Sequence, residues 1–250
     1  MSQVASLPEP LTPPAWLAEV PLAHRGLHDD ERPENSLEAF EAAAANGYGV
    51  ELDVHLSRDG VPVVVHDPEL GRVSDHDAKV SQLTVEELRQ VRLAGARAHV
   101  PTLADALDRL VEVPVMIEIK QGGLRAGELE QATAGLLDTH PGPWCVASFN
   151  PVSVRWFRRN RPDAIRVLTA GPLEGVDLPG PVKRRLAALA DLDRVAPHAV
   201  SYDLDGLPTP ATDRWREAGG LLVTWTVVGE EGLARARRLA DNVIFEHVRP

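Results

Sequence analysis

The sequence predicts an α/β fold, a TIM-type (β/α)8 barrel, on three observations. Short apolar runs alternate with amphipathic stretches along most of the chain, Pro or Gly marks most of the short links, and the runs that read as parallel strands number eight. The length of 250 residues suits one such barrel, so residues 1–250 read as a single domain. A doubly wound open sheet is the rival, but it needs a Gly-rich nucleotide fingerprint and no G-x-G-x-x-G follows a strand.

Residues 1–19 form a Pro-rich lead-in, with a short helix at 16–19, and residues 20–23 are the first strand. Asn35 or Ser36 caps the next helix, with Glu38 in the capping-box position relative to Asn35. That helix, 37–45, has its apolar stripe on Leu37, Phe40 and Ala44 and stops at Asn46-Gly47. Residues 50–54 are the second strand. Ser57-Arg58-Asp59-Gly60 is too short for a parallel crossover and reads as a tight turn. Residues 61–65 are therefore an antiparallel arm that rises above the sheet and returns His66 to the height of Glu51 and Asp53.

Residues 68–100 are an insertion above the barrel that reads as mostly polar, with a helix at 85–91 capped by Thr84. From Pro101 the pattern is regular. Helix 103–110 leads to strand 115–119, helix 128–137 to strand 144–148, and helix 152–159 to strand 165–168. Helix 182–192 leads to strand 199–202, helix 211–218 to strand 221–226, and helix 231–239 to strand 243–245. No eighth helix follows, and the N-terminal segment is expected to cover that position.

A net charge of -11 opposes a nucleic-acid partner. One cysteine, Cys145, permits no intrachain disulfide and is expected to be a buried small hydrophobe. With no signal-peptide pattern and no apolar run of about 18 residues, the chain reads as cytoplasmic with no stable membrane association. No G-x-S-x-G elbow, Walker loop or CxxC occurs, which removes support for serine hydrolase, NTPase and redox readings.

Three apolar runs in the first third end in polar groups: into His24-Arg25-Gly26, into Glu51-Leu52-Asp53, and into His66-Asp67. Charges at the buried ends of strands need partners or water, so these endings point to one site at the strand openings. Glu51 and Asp53 are two apart in a strand and share a face. Glu118 ends the next parallel strand. Three such carboxylates repel unless a cation joins them, and they suit Mg²⁺ or Ca²⁺ better than zinc. The plainer reading is solvated strand ends or ion pairs with Arg25 and Lys120.

His24 and His66 on the same rim suit a general acid and base near neutral pH. Arg25 and Lys120 can neutralise the carboxylates, grip a phosphate, or do both. For Asn35 the cap role suffices, and a ligand role is the minority reading. His55 shares the Glu51 face but is expected to be exposed on the arm. His28, His76, His99, His140, His198 and His247 have no companions in sequence. Trp225 either walls the barrel mouth or packs beneath it.

The motifs HRG, PENS-LEAF, ELDVHLSRDGVPVVVHDPEL-GR, PTL, IEIK, SFNP and WTV resemble the glycerophosphodiester phosphodiesterase family from about Ala23 to near the C-terminus. The resemblance implies a TIM-type barrel of the PLC-like phosphodiesterase kind and a divalent metal, Mg²⁺ or Ca²⁺. It implies hydrolysis of small-molecule glycerophosphodiesters to glycerol 3-phosphate and an alcohol. His24 and His66 fall on the acid/base pair, and Glu51, Asp53 and Glu118 on the metal ligands. Arg25, Lys120, Asn35 and Trp225 fall on substrate-side positions. Two positions depart from the pattern: Val228 follows WTV, and the last strand runs into Glu246-His247, with Glu246 in place of the usual Asp. Two other readings stand beside this one. A lysophospholipase D-like activity on lipid diesters would need an apolar groove, for which residues 73–100 are the candidate. A barrel that binds a phosphoester without turning it over is the other. The oligomeric state and the head-group alcohol are not legible.

Overall fold

The structure is a computed structural model that describes residues 9–94, 97–123, 126–174 and 179–250. Eight parallel strands close on themselves: β1 (Leu22–His24), β2 (Gly49–Leu56), β4 (Val115–Ile119), β5 (Trp144–Ser148), β6 (Arg166–Ala170), β7 (Ala199–Asp203), β8 (Leu221–Val228) and β9 (Asn242–Glu246). Neighbours run β1-β9-β8-β7-β6-β5-β4-β2, and β1 then pairs with β2, His24 opposite Glu51. β3 (Pro62–Val64) is the antiparallel arm, bonded to the upper part of β2 through Val54 and Val64.

Alternation along each strand divides its side chains between two cores. Val50, Leu52 and Val54 of β2 face outward with Val115, Ile117 and Ile119 of β4. They pack against Phe40 and Ala43 of α2 (Leu37–Ala45) and Leu103 and Leu107 of α4 (Leu103–Arg109). The opposite face fills the barrel floor with Leu22, Met116, Cys145, Val167, Ala199, Leu221, Val223 and Ile244. Cys145 is buried there, and burial pushes its thiol well above the ordinary range.

Leu17 of α1 (Trp16–Glu19) belongs to this interior cluster and is fully buried. The N-terminal segment therefore stoppers the barrel floor instead of replacing an outer helix. Asn242 Nδ2 fixes it by donating to the Leu17 and Val20 carbonyls at 2.9 and 2.8 Å. Truncating a fully buried leucine of this kind costs about 2–5 kcal/mol.

Four further expectations are resolved or corrected. Of the two cap candidates Ser36 caps α2, accepting from the Ala39 amide at 3.2 Å, and the capping box of Glu38 with Asn35 does not form. The insertion at 68–100 is not merely polar: Leu70, Val73, Val80, Leu88, Val91, Leu93, Ala98 and Val100 form a cluster with Val63 and Val65 of the arm. Its helix, α3 (Val85–Leu88), is shorter than the expected 85–91, although Thr84 caps it and Glu87 completes a capping box. The expected helix 182–192 divides into α7 (Gly180–Ala187) and α8 (Leu192–Val195). The chain reverses at Leu189, where φ is 53°. That turn lets Leu189 and Leu192 both reach Tyr202 and Trp215, and Arg185 grips Asp191 across it at 2.6 and 2.7 Å.

The remaining helices, α5 (Glu128–Leu137), α6 (Pro151–Asn160), α9 (Pro210–Glu217) and α10 (Gly229–Leu239), surround the barrel. No helix among the described residues is long and apolar enough to cross a membrane.

Candidate active site

Strand direction puts the C-terminal ends of β1, β2, β4 and β9 on one rim, where a barrel places its functional side chains. Asp53 and Glu118 are direct partners across β2 and β4, and Glu51 lies one pleat below Asp53 on the same face. One carboxylate oxygen from each of the three lies within 4.8 Å of the other two, and all three residues are buried.

Such a cluster cannot ionise freely. Burial, then the charges of Asp53 and Glu118, holds the Glu51 carboxyl well above its ordinary range. Burial likewise raises Glu118, against the pull of Lys120. Burial acts upward on Asp53 too, but Lys120, His66, Arg25 and His24 outweigh it and keep Asp53 ionised. Lys120 Nζ sits 2.7 Å from Glu118 and 2.9 Å from Asp53 Oδ1. The latter contact is a charge contact without hydrogen-bond alignment, which leaves Asp53 Oδ1 buried and without a hydrogen bond. A buried, all-oxygen donor set with an orphaned oxygen and two carboxyls resisting ionisation fits a hard divalent cation.

Asn35, freed from capping, turns inward with φ of 56° and clamps Asp53. Its Nδ2 donates to Asp53 Oδ2 at 2.9 Å, and its Oδ1 accepts from the Asp53 amide at 3.4 Å. Arg25, also left-handed at φ 55°, donates its backbone amide to Glu51 Oε2 at 3.3 Å. Its guanidinium bonds Glu34 at 2.8 Å and lies 3.5 Å from Asp53. Arg25 and Lys120 are thus already matched with carboxylates. Gly26, at φ 81°, follows immediately, and a Cβ there would stand 2.9 Å from α2 backbone. Only glycine lets the loop cross the helix so closely.

His24 lies between two carboxylates, its Nδ1 3.2 Å from Glu246 Oε1 and its Nε2 3.9 Å from Glu51 Oε2. The Glu246 approach is a close polar contact without hydrogen-bond alignment, and Nδ1 is buried without a hydrogen-bond partner. His66 comes from the arm. Its Nδ1 bonds Asp67 at 2.7 Å, and burial lowers its pKa to about 4. His55 is not the exposed residue expected of it. It is half-buried and its Nε2 donates to the His66 carbonyl at 2.9 Å.

Several of these contacts were not legible. Arg72 joins Asp67 to Glu34, bonding Glu34 with both guanidinium arms at 2.7 and 2.8 Å. The chain Arg25–Glu34–Arg72–Asp67–His66 therefore links the loop after β1 to the segment after β3 in one network. Glu34, Asp67 and Arg72 all lie in the resembling motifs, but nothing in their spacing shows the pairing. His28 and His247, without companions in sequence, gather beside Glu246. His28 Nε2 stands 2.8 Å from Glu246 Oε1, and the two imidazoles pack edge-to-face with centroids 5.2 Å apart.

A cavity of about 1030 Å³ opens over this rim. One wall carries His24, Arg25, Glu51, His66, Glu118 and Lys120. The other is largely apolar, with Phe149, Val152, Leu173, Leu186 and Trp225 among its residues. Trp225 therefore walls the mouth rather than packing beneath it, its ring edge-to-face with Phe149 at 5.3 Å. The apolar surface comes from the loops after β5 and β6 and from α7, not from residues 73–100.

Residues 24–247 match the model of the glycerophosphoryl diester phosphodiesterase family. The chain is 31% identical over 223 residues to a probable glycerophosphodiester phosphodiesterase 2 of Mycobacterium tuberculosis, covering 83% of this chain and 79% of that one. It is 44% identical over 173 residues to a glycerophosphodiester phosphodiesterase of Bacillus altitudinis, with 62% and 69% covered. Against mouse glycerophosphodiester phosphodiesterase 1 it is 30% identical over 168 residues, covering 60% of this chain and about half of that one, 49%. In fold it is similar to an Oleispira antarctica phosphodiesterase solved in complex with the product sn-glycerol-3-phosphate, with a TM-score of 0.78, 22% identity and 92% and 94% covered.

Proposed function

The chain belongs to the glycerophosphoryl diester phosphodiesterase family and is a phosphoric diester hydrolase, and we propose that it cleaves small glycerophosphodiesters to sn-glycerol 3-phosphate and an alcohol. The observation that carries this reading is a single cavity lined by two histidines, each with its own carboxylate beside it, on the rim of a buried three-carboxylate cluster. The product named for the Oleispira relative supports the same substrate class.

Glu51, Asp53 and Glu118 would hold a Mg²⁺ or Ca²⁺ ion, which when bound supplies Lewis-acid polarisation of a phosphoryl oxygen and a neighbouring hydroxyl. His66 is kept neutral by burial, with Asp67 fixing its Nδ1, so its Nε2 suits proton acceptance. It takes the proton of the glycerol 2-hydroxyl, and that oxygen attacks phosphorus while the bond to the leaving alcohol breaks. His24, steered by Glu246, gives its proton to the leaving oxygen. The resulting cyclic phosphate is opened by water with the histidines' roles reversed, yielding glycerol 3-phosphate. Arg25 and Lys120 offset charge on the phosphoryl oxygens. Trp225 and Phe149 border the space for the departing alcohol.

The apolar wall favours a second reading, hydrolysis of lipid phosphodiesters in the manner of a lysophospholipase D. Glycerol 3-phosphate release from glycerophosphocholine and glycerophosphoethanolamine, with EDTA and with added Mg²⁺ or Ca²⁺, tests the first. Metal-dependent release is the expected result. No release with any metal from folded protein, together with choline release from lysophosphatidylcholine, would overturn it in favour of the second. Phosphoester binding without turnover of either substrate would leave the binding-only barrel.

A further inference from the structure

We propose that His28, Glu246 and His247 form a second metal site that takes a zinc-class transition ion and suppresses turnover when filled. Glu246 ends β9, His247 follows it in a left-handed turn at φ 51°, and His28 comes from the loop after β1. One donor atom from each lies within 4.8 Å of the other two. His28 Nε2 and Glu246 Oε1 are 2.8 Å apart, and His247 stacks its ring edge-to-face on His28.

The donor chemistry separates this place from the carboxylate cluster. Two imidazoles and one carboxylate, with a fourth position left to water, are a zinc set, and the same set suits Co²⁺. Mg²⁺ and Ca²⁺ prefer oxygen ligands and belong to Glu51, Asp53 and Glu118. With metal–ligand bonds of about 2.0–2.2 Å, tetrahedral donors stand about 3.4 Å apart, so the His28–Glu246 pair, at 2.8 Å, needs only a small opening to admit the ion. His247, which is exposed, is free to rotate into place and leaves an entry path from solvent. Support of His24 by Glu246, with His28 behind it, explains the first two residues. His247 is the next residue in the chain, and its left-handed turn sets its ring against His28 and makes it the third donor.

The consequence for turnover follows from a shared atom. Glu246 Oε1 is the oxygen that His28 contacts at 2.8 Å and that His24 Nδ1 faces at 3.2 Å. A metal ligated by that oxygen takes it from His24, and a carboxylate that orients a catalytic imidazole is worth about 10–100-fold in comparable sites.

The test uses the full chain with excess Mg²⁺ to occupy the carboxylate cluster. Co²⁺ is titrated and read by its visible absorption, and bound Zn²⁺ is counted after dialysis. The expected result is one extra ion per chain with a tetrahedral Co²⁺ spectrum, both lost in His247→Ala. Zinc is expected to lower wild-type turnover by about tenfold or more and to leave His247→Ala turnover unchanged. An identical spectrum and zinc count in His247→Ala, confirmed with His28→Gln, would overturn the site. Equal zinc inhibition of wild type and His247→Ala would overturn its effect on turnover. Because binding is read without substrate, the site is tested independently of the proposed reaction; only its effect on turnover rests on that reaction.

Discussion

The barrel rim has two chemically different halves. On β1, β2, β4 and β9 the inward residues nearest the cavity are His24, Glu51, Asp53, Glu118 and Glu246, and each is engaged by a named partner. On β5 to β8 the strand residues that line the cavity are Ala147, Thr169, Ser201 and Trp225, small, neutral or aromatic. The first half fixes charges against one another; the second leaves room. In the proposed reaction, bond breaking and accommodation of the leaving alcohol fall to different halves, so a change of substrate would come from the second half without disturbing the first.

Substitutions can break that comparison, and the largest effects belong to the charged half. Asp53→Asn, Glu51→Gln or Glu118→Gln is expected to lower kcat/KM by about 10³-fold, with loss of Mg²⁺ or Ca²⁺ binding measured by titration calorimetry. Retained metal binding in any of the three would remove that residue from the cluster's role. His24→Ala or His66→Ala should cost about 10²–10⁴-fold in kcat, with metal binding intact; near-normal turnover in either would end the assignment. Asp67→Asn keeps the shape but weakens the hold on His66, for an expected loss of about tenfold in kcat with KM little changed.

The apolar half should respond differently. Phe149→Ala removes the edge-to-face partner of Trp225 and should raise KM by up to about tenfold, with kcat nearly preserved. An equal fall in kcat would show that the two halves are not independent.

The smallest effect is on stability. His66 in the charged half and His198 beneath the apolar half are both lowered to about 4, chiefly by burial. A histidine whose folded pKa lies below its unfolded value of about 6.5 contributes stability that is full above 6.5 and declines as pH falls toward 4. The midpoint of urea unfolding should therefore drop between pH 6.5 and 4. In His198→Gln that drop should be shallower, and an unchanged slope would show that His198 is not titrating there.

The two halves were also unequally legible. Helices 37–45 and 128–137 and strands 115–119 and 144–148 are found at the boundaries their apolar periodicity predicts, because there the local pattern and the tertiary packing agree. Glu51, Asp53 and Glu118 stood out because charge at a buried strand end has few bland explanations. Asn35 was misread because Ser36 beside it caps equally well, and only the left-handed backbone at Asn35 sends its side chain to Asp53. The network through Glu34 and Arg72, and the meeting of His28 with Glu246, join residues 38 and 218 positions apart. No periodicity carries that information. The helix break at Leu189 was equally hidden, since Ala and Leu on both sides favour continuation.

The seam between β1 and β9 has a consequence for how the molecule is made. Asn242 reaches back 225 residues to hold Leu17, and Ala23 pairs with Phe245 in the same closure. Contacts of such sequence separation form late, because a long loop must close before they stabilise anything. Glu246 lies on the last strand to join, so its contact with His24 cannot exist until the ring is shut. During synthesis the carboxylate cluster on β2 and β4 can gather early, while His24 waits for the far end of the chain. Glu246 reaching His24 thus marks a completed barrel, and an unfinished chain cannot make that contact.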